Sequence, residues 1–307
     1  MIVAILIATN TVGAIPLLIG YFTKASSNPA IIPEIAENPN NLGVLGLNPN
    51  IGLFMMLFPF LIGLLTFIIF IKPLNYRTFK ITINGAGRFR WNRLFISALL
   101  WAILAAVYFF IYLNLDPSNF ILKNTSETLI PLIIISLTFI PFQAAFEEVL
   151  FRGYLMQGFA VLFRNRWFPL VITSVLFGLM HAFNPEVEEF GFFIMMPQYI
   201  LFGLIFGIVT ILDDGIEAAI GAHAANNIFL CIMVTHESSA LQTLAVYEQQ
   251  DVFPFTEFAA LLVTGIIFLV IMKMIFRWGS YSFVLSSVEP KRYSDQIPYT
   301  DVFSSVR

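Results

Sequence analysis

Pro141-Phe-Gln-Ala-Ala-Phe-Glu147-Glu148-Val-Leu-Phe-Arg152-Gly153 lies in the middle of one of the most apolar stretches of the chain. Residues 128–146 carry no charge, and 153–163 continue largely apolar. Ionisable groups in hydrocarbon cost several kcal/mol each unless they pair, face a wet cavity or bind an ion. Two of the three histidines, His181 and His223, also fall in later apolar runs. A chain that spends its few intramembrane ionisable groups in three different helices builds a site with them. Carboxylate and imidazole together suit general-base or metal-assisted attack on a carbonyl.

The surroundings of this stretch define the class. Of 307 residues, 58% are hydrophobic and 11% charged, against roughly 25% charged in a soluble domain. The expected fold is all-α, a polytopic transmembrane helical bundle, with residues 1–307 forming a single membrane domain. A net charge of -3 gives no sign of nucleic-acid binding. The single cysteine, Cys231, excludes an intramolecular disulfide and reads as a packed thiol. About 20 apolar residues cross a bilayer. That rule predicts eight spans, at 1–23, 51–71, 94–115, 128–147, 167–183, 192–212, 216–235 and 258–276. Residues 1–23 lack a basic leader and read as a first span rather than a cleaved signal.

Basic residues give the orientation. Every Lys and Arg except Lys24 and Lys123 falls on one side of an eight-span arrangement. That side holds the 72–93 loop, Arg152, Arg164, Arg166 and a tail at 277–307. Both termini are therefore expected in the cytoplasm, with multi-pass placement in the plasma membrane of a bacterium. Asp213-Asp214-Gly215, the acidic exception on that side, reads as a turn and helix cap. Asn124-Thr125-Ser126 matches a glycosylation sequon on the opposite side.

Glu148 and Arg152 are i,i+4, the spacing and order that pair best on a helix. Glu147 points about 100° away and is left free for use as a base. The competing reading places all three side chains in headgroups at an interfacial helix end. If the fourth helix runs to Phe163 and turns at Arg164-Asn165-Arg166, Glu147 and His181 lie level across an antiparallel hairpin. A lone histidine there is otherwise a packing residue. His223 and Asn227 share a helix face, and Gly215, Gly221, Ala224 and Ala225 allow close helix approach. Alone, that pair could serve only for interhelical hydrogen bonding.

Depth adds a constraint. At 1.5 Å per residue His223 lies about 12 Å from the Gly215 turn, and Glu147 about 25 Å from Arg164. The two meet only if the hairpin projects past the membrane surface by about 13 Å. Arg152 is then expected near headgroup level.

At these residues the chain resembles the CPBP membrane protease family, which includes the type II CAAX prenyl endopeptidases and is also called Abi. Its EExxxR, FxxxH and HxxxN patterns read here as Glu147-Glu148-x-x-x-Arg152, Phe177-x-x-x-His181 and His223-x-x-x-Asn227, in the same order. The resemblance covers roughly 128–235, the expected catalytic core. It implies an intramembrane endopeptidase acting on a peptide or lipidated protein, a prenylated CAAX-type substrate included. Glu147 and His223 would activate water, and His181 and Asn227 would stabilise the oxyanion. Glu148 and Arg152 would support them. An older view of the family as metalloproteases would make Glu147, His181 and His223 three ligands of an open zinc site. A non-proteolytic scaffold or bacteriocin-immunity protein on the same fold is the competing class. A proton-relaying transporter is fainter, since no inverted repeat is visible.

Overall fold

The computed structural model describes residues 1–33, 46–123 and 126–289. The sequon at Asn124 and the basic residues Lys291, Arg292 and Arg307 lie outside them. The fold is all-α apart from three short strands. Helices α1 (Ile2–Ala8) and α2 (Ile15–Ser27) form one rod through a π-turn at Thr9–Gly13. Then come α3 (Pro49–Asn75), the short α4 (Phe79–Ile83) and α5 (Trp91–Leu115). Strand β1 (Phe120–Leu122) precedes α6 (Ser126–Glu148). A π-helical stretch, Val149–Met156, joins α6 to α7 (Gln157–Phe163).

After the turn come α8 (Trp167–Met180), α9 (Pro185–Phe190) and α10 (Phe192–Asp213). The chain ends with α11 (Glu217–Met233), β2 (Val234–Thr235), β3 (Tyr247–Gln249) and α12 (Pro254–Phe276).

A helix stands at each of the eight expected stretches, but six are long and apolar enough to cross a bilayer: Ile2–Ser27, Pro49–Asn75, Trp91–Leu115, Glu127–Phe163, Phe192–Asp213 and Pro254–Phe276. The eight expected spans thus correspond to six helices of full length and two shorter ones. Trp167–Met180 has 14 residues and Glu217–Met233 has 17, both short of the roughly 20 that span hydrocarbon. The fourth helix does run on to Phe163 and turns there, with Arg164 in a left-handed conformation closing it.

Helix α11 is the buried axle of the bundle. Glu217 through Ala225 are all buried. Ala218, Ala219, Ala222 and Ala225 pack with Trp101, Phe206, Leu261 and Phe268, and Ile220 packs with Ile71, Phe146 and Val149. The small residues let neighbours come close, as a Cβ on Gly221 would fall 2.1 Å from the Leu94 carbonyl oxygen.

Loops sort to two ends. At one end the Arg164–Arg166 turn hydrogen-bonds Ser286 and Val288. There too Asn84 pairs with Gly215 across a bridge, and Met1 packs in the Ile71–Ile83 cluster. At the other end β3 pairs antiparallel with β1 and parallel with β2, and Glu186 accepts the Ala240 N–H. These are the two groups of loops that the basic-residue pattern separates. The acidic turn fits this division, and it does more than cap. Asp213 accepts from Trp278 Nε1 at 2.7 Å and pairs with Arg90 and Arg93 at 3.1 Å each. Glu217 binds Arg90 at 2.6 Å.

The hairpin projects beyond the α10–α11 turn. A Cβ on Gly153 would meet Thr82 O at 3.2 Å and Ile216 Cδ1 at 3.6 Å. Gly153 is therefore level with the α10–α11 turn, and 11 residues separate it from Arg164. The tip stands about 16 Å beyond, at 1.5 Å per residue.

Candidate active site

The site is built where α6, its π-helical extension, α8, α10 and α11 meet. Glu147, Glu148, Arg152 and His223 are all buried, at 7%, 0%, 1% and 4% exposure. That excludes an interfacial helix end with its side chains in headgroups. Arg152 Nη1 donates to Glu148 Oε1 at 2.9 Å and Nη2 to Gly203 O at 3.0 Å. Its guanidinium also lies 4.7 Å from the Phe177 ring centroid. A charge in this position survives because pairing, a carbonyl and an aromatic face all compensate it. Gly203 is needed for the approach, since a Cβ there would fall 2.7 Å from Ser174 Cα.

Glu148 has a second partner. His223 Nδ1 lies 2.8 Å from the same Glu148 Oε1. The carboxylate accepts, so Nδ1 carries the proton and Nε2 of the neutral ring keeps its lone pair. The ring is stacked on Phe206, 5.2 Å between centroids and 20° from parallel, and Phe177 meets it edge-on at 5.9 Å. Its Nε2 faces Glu147 Oε2 at 3.6 Å, beyond hydrogen-bond range. Glu147 Oε2 is buried without a protein hydrogen bond.

The other Glu147 oxygen ends a chain of amides. Trp101 Nε1 donates to Asn226 Oδ1 at 3.1 Å, and Asn226 Nδ2 to Asn227 Oδ1 at 3.0 Å. Asn227 Nδ2 donates to Gln143 Oε1 at 3.4 Å, and Gln143 Nε2 to Glu147 Oε1 at 3.2 Å. Gln143, Asn226 and Trp101 are absent from the sequence-based set. The i,i+4 spacing of Gln143 and Glu147 carried a signal for the first; nothing local marks Trp101.

His181 sits apart. It caps α8, its Nδ1 2.8 Å from Phe177 O, and its ring stacks on Tyr199. The expected Glu147–His181 contact is not formed. Phe177 separates them, with its ring 4.8 Å from His181 and 5.9 Å from His223. The π-helical turn after Glu148 shifts the register that a straight α-helix would have carried through the hairpin. The structure thus joins Glu147, Glu148, Arg152, His223, Gln143 and Asn227, and holds His181 one aromatic ring away.

A three-ligand metal does not fit this arrangement. Among the described residues no three His, Cys, Asp or Glu side chains are grouped to hold an ion. His181 is held against Phe177 and Tyr199, away from the Glu147–His223 pair.

Residues 126–229 match the family model described as type II CAAX prenyl endopeptidase Rce1-like. The chain is also 32% identical over 164 residues to the uncharacterized protein YyaK of Bacillus subtilis, covering 53% of this chain and 54% of that protein. The chain thus spans about half the length of the curated relative it matches. No solved structure matches it. All three polar motifs lie inside the matched stretch, and over residues 126–229 the chain carries the Rce1-like type II CAAX prenyl endopeptidase pattern that its Glu147, His181 and His223 motifs resemble.

Proposed function

We propose that this integral membrane protein is an intramembrane endopeptidase in which Glu147 activates water against a peptide carbonyl. One observation carries the reading: Glu147 Oε2, which has no protein hydrogen bond, and His223 Nε2 face each other at 3.6 Å in a buried site. Polar atoms just beyond hydrogen-bond range are commonly bridged by water. A water between these two would be held by two acceptors, which raises the electron density on its oxygen. Glu147 takes the proton as general base and returns it to the leaving amine as general acid. Glu148, already neutralised by Arg152, holds His223 in the tautomer that leaves Nε2 free.

Asn227 supplies a donor for the oxyanion. Its 3.4 Å bond to Gln143 is long, so a small rotation releases it. His181, when doubly protonated, supplies a second donor from Nε2. The substrate is a membrane-associated peptide, the prenylated CAAX type included, met from the cytoplasmic side of a bacterial plasma membrane. Support for that class comes from the Rce1-like match and from the basic residues gathered at the Arg164 end.

The experiment is cleavage of a fluorogenic, prenylated peptide and its unprenylated twin by purified protein in lipid, wild type against Glu147→Gln. Cleavage by wild type and none by the variant supports the reading. Equal turnover by both removes Glu147 as the base, and no turnover by either, with the variant equally folded, favours a non-proteolytic scaffold.

A further inference from the structure

The His181 ring is held from three directions, and only one of the three, Phe177, also touches His223. Its Nδ1 lies 2.8 Å from Phe177 O. A carbonyl only accepts, so Nδ1 carries the proton and Nε2 is the nitrogen left to meet a ligand. One face of the imidazole lies on Tyr199, with centroids 4.5 Å apart and planes 18° from parallel. Phe177 packs against it with centroids 4.8 Å apart.

Tyr199 is itself anchored at the far end. Asn184 Nδ2 donates to the Tyr199 hydroxyl oxygen at 3.1 Å. Glu186 Oε1 accepts the Ala240 N–H at 2.8 Å, while its Oε2 is buried. Burial pushes the Glu186 carboxyl above the usual carboxylate range, and the Ala240 N–H offsets part of that rise. Residues from the α8–α9 turn, α9, α10 and the loop after β2 therefore converge behind one imidazole. Packing alone would not require a phenol anchored at its hydroxyl by the Asn184 amide.

We propose that Tyr199 is the positioning residue of His181: Asn184 anchors the phenol, and the phenol fixes the imidazole plane so that Nε2 is the edge presented to substrate. The proposal deepens the peptidase reading, since it rests on His181 meeting the reacting carbonyl. It also makes a claim about the imidazole that holds without turnover. The clamp explains why His181 needs no contact with Glu147. The two halves of the site are oriented independently, His223 by Glu148 and His181 by Tyr199.

The test uses full-length protein in nanodiscs, labelled with 15N and 13C on histidine. His181→Asn identifies the His181 resonances among three. The Tyr199 ring should displace the His181 ring-proton shifts; the displacement should shift or broaden in Tyr199→Phe, which keeps the ring but loses the anchored hydroxyl, and vanish in Tyr199→Leu. With a cleavable peptide, kcat should fall roughly 10- to 100-fold in Tyr199→Leu at nearly constant KM, the size expected for a misplaced catalytic group. Tyr199→Phe should fall between the two. Should Tyr199→Leu fail to fold, Asn184→Ala loosens the same phenol from its rim and should shift or broaden the same resonances. Unchanged His181 resonances in whichever variant folds overturn the clamp. Displaced resonances in a protein whose wild type cleaves nothing uphold the clamp and sink the peptidase reading instead.

Discussion

His223 Nδ1 and Arg152 Nη1 converge on one oxygen, Glu148 Oε1, at 2.8 and 2.9 Å. The two adjacent carboxylates therefore do different work. Glu148 engages an arginine and an imidazole through one oxygen, its Oε2 left without a protein hydrogen bond, and Glu147 turns its own unpartnered oxygen to the other imidazole nitrogen. Both are buried, so the division is fixed by partners and not by exposure.

Glu147→Gln should lower peptide cleavage by roughly 10²- to 10⁴-fold, the usual worth of a general base. Stability should hardly change, because the amide keeps the shape and can still accept from Gln143. Activity of the variant against wild type, with a thermal melt alongside, checks both halves. Retained activity would falsify the assigned role.

Glu148→Gln and Arg152→Leu should each destabilise the fold as well as lower activity. Removing one partner of a buried pair leaves a charge uncompensated, at about 3–5 kcal/mol. Glu148→Gln strands Arg152, and Arg152→Leu strands Glu148 and the Gly203 carbonyl. Unfolding in a denaturant series measures the loss. A wild-type midpoint in either variant would show that the pair carries little.

Opposite-side labelling checks topology. Asn84 is a poor probe site, because it is buried and bound to Glu217. Ala86 and Glu237 are exposed, at opposite ends of the bundle. In a Cys231→Ala background, Ala86→Cys should react with an impermeant thiol reagent from the cytoplasmic face and Glu237→Cys from the other. Reaction of both from one face would contradict the two-ended sorting of the loops.

Chelation should leave cleavage unchanged. Glu147 and His223 make a pair and not a triad, and among the described residues no third ligand joins them. Elemental analysis of purified protein, with activity before and after a strong zinc chelator, gives the answer. Stoichiometric zinc with loss of activity on removal would mean that His181 leaves the Tyr199 clamp to ligate.

The sequence by itself determined whatever rests on local rules. Hydrophobic runs located all the helices that carry the site, because burial in lipid demands apolar length. The i,i+4 spacing named the Glu148–Arg152 pair, because helix geometry alone brings those side chains together. The distribution of Lys and Arg separated the loops into the same two ends that strand pairing and turn contacts join.

Tertiary structure alone decided which carboxylate takes His223, since Glu148 and His223 are 75 residues apart and meet through the packing of α11 against α6. It also decided that Trp101 and Asn226 stand at the head of the amide chain to Glu147. The fate of His181 was equally hidden. A level hairpin predicts contact with Glu147, but the π-helical stretch from Val149 to Met156 breaks the register and Phe177 fills the gap. Side-chain direction across helices depends on winding and on what lies between them, and periodicity within one helix records neither.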